Sequence, residues 1–108
     1  MKKSILVAAV VSVLAAWTAQ ADDSKALYGQ QCAKCHGEDG KGETKMGKKL
    51  GAKDYTDPKV QDALKNDAAV KAIKEGIKQD DKTLMKPVEG LTDDQINGLV
   101  AYMRAFKK

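Results

Sequence analysis

Cys32-Ala33-Lys34-Cys35-His36 is the stretch that decides how this chain folds. On a helical turn Cys32 and Cys35 are i, i+3 neighbours, and His36 is i+4 from Cys32, so two sulfurs and an imidazole share one face. Cys-x-x-Cys followed directly by His is the spacing of a c-type haem attachment site. One turn can then bond two haem vinyl carbons through thioethers and offer an imidazole to the iron. Three other uses of the pattern fit less well. A thioredoxin-like dithiol needs a βαβ context, and the flanking sequence has none. A structural zinc site needs four ligands, and Cys32, Cys35 and His36 are three. A plain disulfide would close a loop too short to stabilise much and would leave the histidine unexplained.

Around the motif the composition is that of one small domain. The chain has 108 residues, 19 Lys+Arg against 15 Asp+Glu, a formal net charge of +4, two cysteines and one histidine. This length excludes a two-domain enzyme. Two cysteines exclude a disulfide framework. No basic cluster is interleaved with aromatics, which argues against nucleic acid as a partner. A mean hydropathy of −0.48 excludes a multi-span membrane protein.

Toward the N-terminus, Met1-Lys2-Lys3 precedes an apolar run from Ser4 to Trp17, and Ala19-Gln20-Ala21 gives a small-x-small step before Asp22-Asp23. That order predicts a secretory signal peptide over residues 1–21, cleaved after Ala21. The run falls short of the ~20 residues that span a bilayer, so an uncleaved anchor or a buried core helix fits less well. Residues 22–108 then form a single periplasmic domain without stable membrane insertion. Cleavage removes Trp17 and leaves Tyr28, Tyr55, Tyr102 and Phe106 as the aromatics. A small domain so thin in aromatics needs a staple beyond its own side chains, and a covalent haem would be one.

The remaining pattern predicts an all-α fold: two terminal helices, short middle helices and long loops. Asp22 to Lys34 reads as a helix with acids at its positive end. Gly37 to Gly51 is rich in glycine and lysine and reads as a loop. Asp57-Pro58 starts a short helix, with Val60 and Leu64 on one face. Asp67 is expected to cap the next helix, where Val70, Ile73 and Ile77 follow 3- and 4-residue steps and Gly76 weakens the end. Gln79 to Gly90 reads as a polar loop. Thr92 followed by Gln95 is a capping box, and Ile96, Leu99, Val100, Met103 and Phe106 form the apolar stripe of the last helix.

Cys32-Ala33-Lys34-Cys35-His36-Gly37, with Leu84-Met85-Lys86-Pro87 and Leu91-Thr92-Asp93-Asp94-Gln95-Ile96, resembles a class I c-type cytochrome of the small soluble bacterial monohaem kind, over residues 24 to 106. The resemblance implies the cytochrome c fold, with the terminal helices packed on each other around one covalent haem c. It also implies that Cys32 and Cys35 carry the haem, that His36 is the proximal iron ligand, and that a methionine ahead of the last helix is the distal one. Met85 is preferred. Met46 lies only shortly past His36, and Met103 sits on the apolar stripe of the last helix, where core packing is the default. Tyr28 and Tyr102 match the aromatic positions where the terminal helices cross. Ser24 stands where the family usually has glycine. No proline lies between the haem motif and Leu50, although a ligating histidine normally donates its second N–H, so some backbone carbonyl is expected to accept it. Leu50, Tyr55, Ile73, Ile77, Leu84, Val88, Leu91 and Leu99 are candidate haem-pocket or ordinary core residues.

A His/Met iron has no open position, and no general base, nucleophile or further metal site is evident, so the expected role is electron carriage rather than catalysis. Other redox proteins are the expected partners, met transiently. Lys34, Lys41, Lys45, Lys48, Lys49, Lys82 and Lys86 are placed to steer acidic ones, although Glu38, Asp39, Asp80 and Asp81 lie among them. A haem-based redox or gas sensor and a cytochrome subunit of a larger oxidoreductase are the alternatives.

Overall fold

A computed structural model describes residues 23–108. The expected signal peptide, residues 1–21, lies outside the described residues. The described chain runs α1 (23–31), α2 (Ala33–His36), α3 (Lys45–Leu50), α4 (Pro58–Ala63), α5 (Asn66–Glu75), β1 (Ile77–Gln79), β2 (Lys82–Met85) and α6 (Asp93–Arg104).

α6 follows its sequence signals closely. The Thr92 hydroxyl accepts from the Gln95 N–H and the Gln95 side chain accepts from the Thr92 N–H, which completes the capping box. Asp93 and Asp94 sit in the first turn and Arg104 in the last, both signs favourable to the helix dipole. Ile96, Leu99 and Val100 are buried, joined in the core by Tyr28 of α1 and Ala69 and Ile73 of α5. Each such aliphatic side chain contributes on the order of 1.5–3 kcal/mol. That dwarfs the few tenths, roughly, available to the exposed Lys71–Glu75 pair on α5.

The terminal helices meet through aromatic rings. Tyr28 lies 5.0 Å from Tyr102 and 5.3 Å from Phe106, and Tyr102 meets Phe106 edge-on at 5.5 Å. At the crossing, buried Ser24 faces Gly98, where an added Cβ would come within 2.5 Å of the serine Oγ. The close approach is kept because the glycine stands on α6 instead of α1.

Several expectations need correction. The first helix is not continuous to Lys34: the backbone opens at Cys32 (φ −122°) before α2 resumes. The expected loop from Gly37 to Gly51 contains α3, started by the Thr44 hydroxyl accepting from the Gly47 N–H and stopped by Gly51 in the left-handed region. Lys65 rather than Asp67 occupies the N-cap of α5, and Asp67 sits in its first turn.

Gly76 (φ +74°) ends α5, so Ile77 leaves the helix and is exposed at 42%. The expected loop from Gln79 to Gly90 holds most of an antiparallel hairpin instead. Gln79 pairs with Lys82 and Lys78 with Thr83, so Asp80-Asp81 is a two-residue turn with both residues at positive φ (52° and 65°). This is the twist that hairpin turns require. Ile77 then pairs with Met85, and the register shift leaves Leu84 as an extra, bulged residue.

Candidate functional site

The Cys-x-x-Cys-His turn is built between two neighbours. Cys32 donates its N–H to the Tyr28 carbonyl (2.9 Å), so α1 leads straight into the motif. His36 donates its N–H back to the Cys32 carbonyl (2.9 Å), which closes the turn that carries both thiols. Gly37 (φ +80°) then turns the chain away, and its carbonyl accepts the Tyr28 hydroxyl at 2.7 Å. Burial, with Cys32 nearby, raises the Tyr28 phenol above its ordinary range, so it stays a proton donor.

α3 supports the motif from the other side. Thr44 donates its hydroxyl to the Cys35 carbonyl at 2.8 Å while capping α3. Gly47 presses its Cα against the Cys35 carbonyl so closely that a Cβ would collide with it, and would lie 2.6 Å from the Gly42 carbonyl. Sequence reasoning missed both residues. The one available signal was Thr44 three residues ahead of a glycine inside a lysine-rich run.

Both thiols are free and half-buried. Burial, and then the neighbouring Cys35, push the Cys32 thiol up to about 11. Burial lowers the His36 pKa, which favours the neutral ring, the form that coordinates a metal. The imidazole stands 5.4 Å from the Tyr55 ring, tilted by 45°. Its Nδ1 is buried and has no hydrogen-bond partner. The backbone carbonyl expected to accept from it is therefore not found. Among the described residues no cluster of three or more His, Cys, Asp or Glu is placed to hold one metal ion.

Met85 ends β2, half-buried against the core cluster together with Val88 and Leu91. Val88 donates its N–H to the Ile73 carbonyl of α5 at 2.8 Å. Met46 on α3 is exposed at 38%, and Met103 packs on the core as part of α6. Leu27, Leu64 and Val70 also pack on the core while staying only partly covered. Of the other candidate pocket residues, Ile73 and Leu99 are buried, Leu50, Tyr55 and Leu84 are half-buried, and Ile77 is exposed.

A second polar network ties α4 to α6. Gln61, 3% exposed, donates its amide to the carbonyls of Tyr55 (2.7 Å) and Met103 (3.0 Å). Arg104, the chain's one arginine, donates to the Gln61 carbonyl at 2.6 Å, the Gln61 Oε1 at 2.9 Å, the Leu64 carbonyl and the Asn66 Oδ1. It thereby adds a donor to carbonyls at the end of α4.

The profile of the family described as "Cytochrome C oxidase, cbb3-type, subunit III" matches residues 19–103, and the chain belongs to this family of small c-type cytochromes. Among solved structures it is similar to the KustC0563 c-type cytochrome, at 34% identity and a TM-score of 0.69, over 79% of this chain and 98% of that one. It is also similar to a tyrosine-to-phenylalanine mutant of that cytochrome, at 32% identity and a TM-score of 0.67, over 79% and 99%. No curated protein sequence matches. The mostly helical architecture is the cytochrome c fold. The family's work is haem-based electron transfer with redox partners, and its cofactor is haem c with its iron.

Proposed function

We propose that the chain is an exported, periplasmic one-electron carrier. Cys32 and Cys35 hold one haem c by thioethers, His36 is its proximal ligand and Met85 its distal ligand. The observation that carries the reading is the single turn bearing two unbridged thiols and an imidazole whose Nδ1 is buried without a partner. That donor set suits an iron porphyrin. The partly covered apolar side chains of Leu27, Leu64, Val70, Val88 and Leu91 would suit its hydrophobic faces.

The group, when bound, supplies one-electron chemistry at iron. The chain does the rest. Its Cys32 and Cys35 thiols would anchor the group, the His36 imidazole and Met85 thioether would hold the iron, and its apolar side chains would keep water off. A thioether favours the reduced iron relative to a second imidazole. With ligands the same in both oxidation states, little rearranges on transfer.

The test is the mass and visible spectrum of the protein recovered from the periplasm. The expected result is a chain beginning at Asp22, one haem that survives acidified organic solvent, and a ferric sulfur-to-iron charge-transfer band. Colourless protein, or pigment extracted by the solvent, overturns the proposal.

The family description favours a second reading, in which the cytochrome is a fixed subunit of a larger oxidoreductase. Co-purification with further chains at high salt would establish that reading; a lone chain would leave the diffusing carrier. Among the described residues no helix is long and apolar enough to cross a membrane.

A further inference from the structure

The end of α5 touches the Met85 segment twice. The Ile73 carbonyl accepts the Val88 N–H at 2.8 Å. One turn on, Gly76 lies so close to the chain around Met85 that a Cβ would collide with the Met85 carbonyl oxygen, and would sit 2.9 Å from the Pro87 nitrogen and 3.0 Å from its Cδ. Gly76 also has φ +74°, a conformation that L side chains resist. Its neighbour Ile77 pairs with Met85 across the bulge at Leu84. A bulge puts two residues opposite one and re-aims the side chains that follow. Here the consecutive residues Leu84 and Met85 are both half-buried, while Lys82 and Thr83 stay exposed.

We propose that Gly76 is the positioning residue for the Met85 thioether: its bare Cα admits the Met85–Pro87 backbone, and this contact together with the bulge fixes how far the methionine reaches. The inference rests on Met85 being the distal ligand. A Cβ at position 76 must push the 85–87 backbone outward, because the atoms it meets are main chain and proline ring rather than a flexible side-chain tip. Gly90 provides the control. It has φ +79°, lies on the other side of Met85, and a Cβ there meets nothing within 4 Å. Gly90→Ala therefore carries the backbone strain without the collision.

The experiment uses full-length ferric holoprotein and reads the sulfur-to-iron band and the affinity for added imidazole, with far-UV circular dichroism as the check on folding. Gly76→Ala is expected to lose most of the band and to bind imidazole about tenfold more tightly with its helices intact. Gly90→Ala should match wild type. A full band in Gly76→Ala, or equal loss in Gly90→Ala, overturns the proposal. Wild type without the band would instead overturn Met85 as ligand. If Gly76→Ala does not fold, Pro87→Ala decides, since it removes the exposed ring packed on Gly76. A several-fold gain in imidazole affinity supports the proposal, and an unchanged affinity sinks it.

Discussion

Single side chains set the chemistry, and two of them make separable predictions. Met85→Ala removes the thioether proposed as the distal ligand and should open the sixth position. The reduction potential should fall by on the order of 0.1 V, a modest part of the ~0.8 V over which axial ligands act, and the ferric protein should bind imidazole readily. Potentiometry and an imidazole titration check this; an unchanged potential would point to another ligand. Asp54 makes the second. Its carboxylate accepts the Thr56 hydroxyl at 2.6 Å and the Thr56 N–H at 2.9 Å, and these bonds hold its pKa below the ordinary 3.8. A folded pKa below the unfolded one stabilises the fold above the unfolded value and stops doing so as pH falls through the folded one. The stability advantage of wild type over Asp54→Asn should be full above about pH 5 and shrink in more acidic solution. Urea melts from pH 7 to pH 3 measure it, and an advantage constant across that range would exclude the linkage.

Elements differ in how far they were readable from sequence. α6 was readable because its cap, acids and apolar stripe are all local signals that agree. The Cys-x-x-Cys-His turn was readable for the same reason, since five adjacent residues carry it. Met85 was placed by resemblance, as no local spacing singles it out from Met46 or Met103. α3 was hidden because Gly47 sits inside it, and that glycine is explained only by the Cys35 carbonyl pressed against it. The hairpin was hidden because β1 and the first half of β2 are exposed and carry no apolar alternation. Its turn also uses Asp-Asp where Asn-Gly or Asp-Gly would have signalled it. The Gln61–Arg104 network spans 43 residues of sequence, and no local pattern announces such a bond. Breaking it by Arg104→Ala should cost about 1.5–3 kcal/mol, the range for hydrogen bonds to a charged group. Arg104→Lys should recover only a small part, because an ammonium cannot reach several acceptors in the guanidinium's fork. A denaturation midpoint equal to wild type in Arg104→Ala would show the network to be dispensable.

At the scale of the whole molecule, charge is expected to govern encounter. Lys34, Lys45, Lys48, Lys49, Lys82 and Lys86 are exposed, and Lys41 is half-buried. The ion pairs among the described residues use other lysines: Lys71, Lys74 and Lys107. The unpaired lysines should speed approach to an acidic redox partner, and the gain should fade as the Debye length shrinks to about 8 Å near 0.15 M salt. Stopped-flow transfer rates should at least halve, roughly, between 0.01 M and 0.15 M. A salt-independent rate would remove steering.

The tip of the hairpin has one more effect. Asp80 and Asp81 both hold a left-handed backbone, and both are exposed. The twist suits a hairpin, but two non-glycine residues hold it at the cost of a left-handed backbone, which makes this the place where two short strands unzip with least resistance. Under the proposed ligation, warming the protein should therefore free the Met85 sulfur from the iron while the ring trio of Tyr28, Tyr102 and Phe106 still clasps α1 to the end of α6. The visible colour change should thus come at a lower temperature than the loss of helical ellipticity.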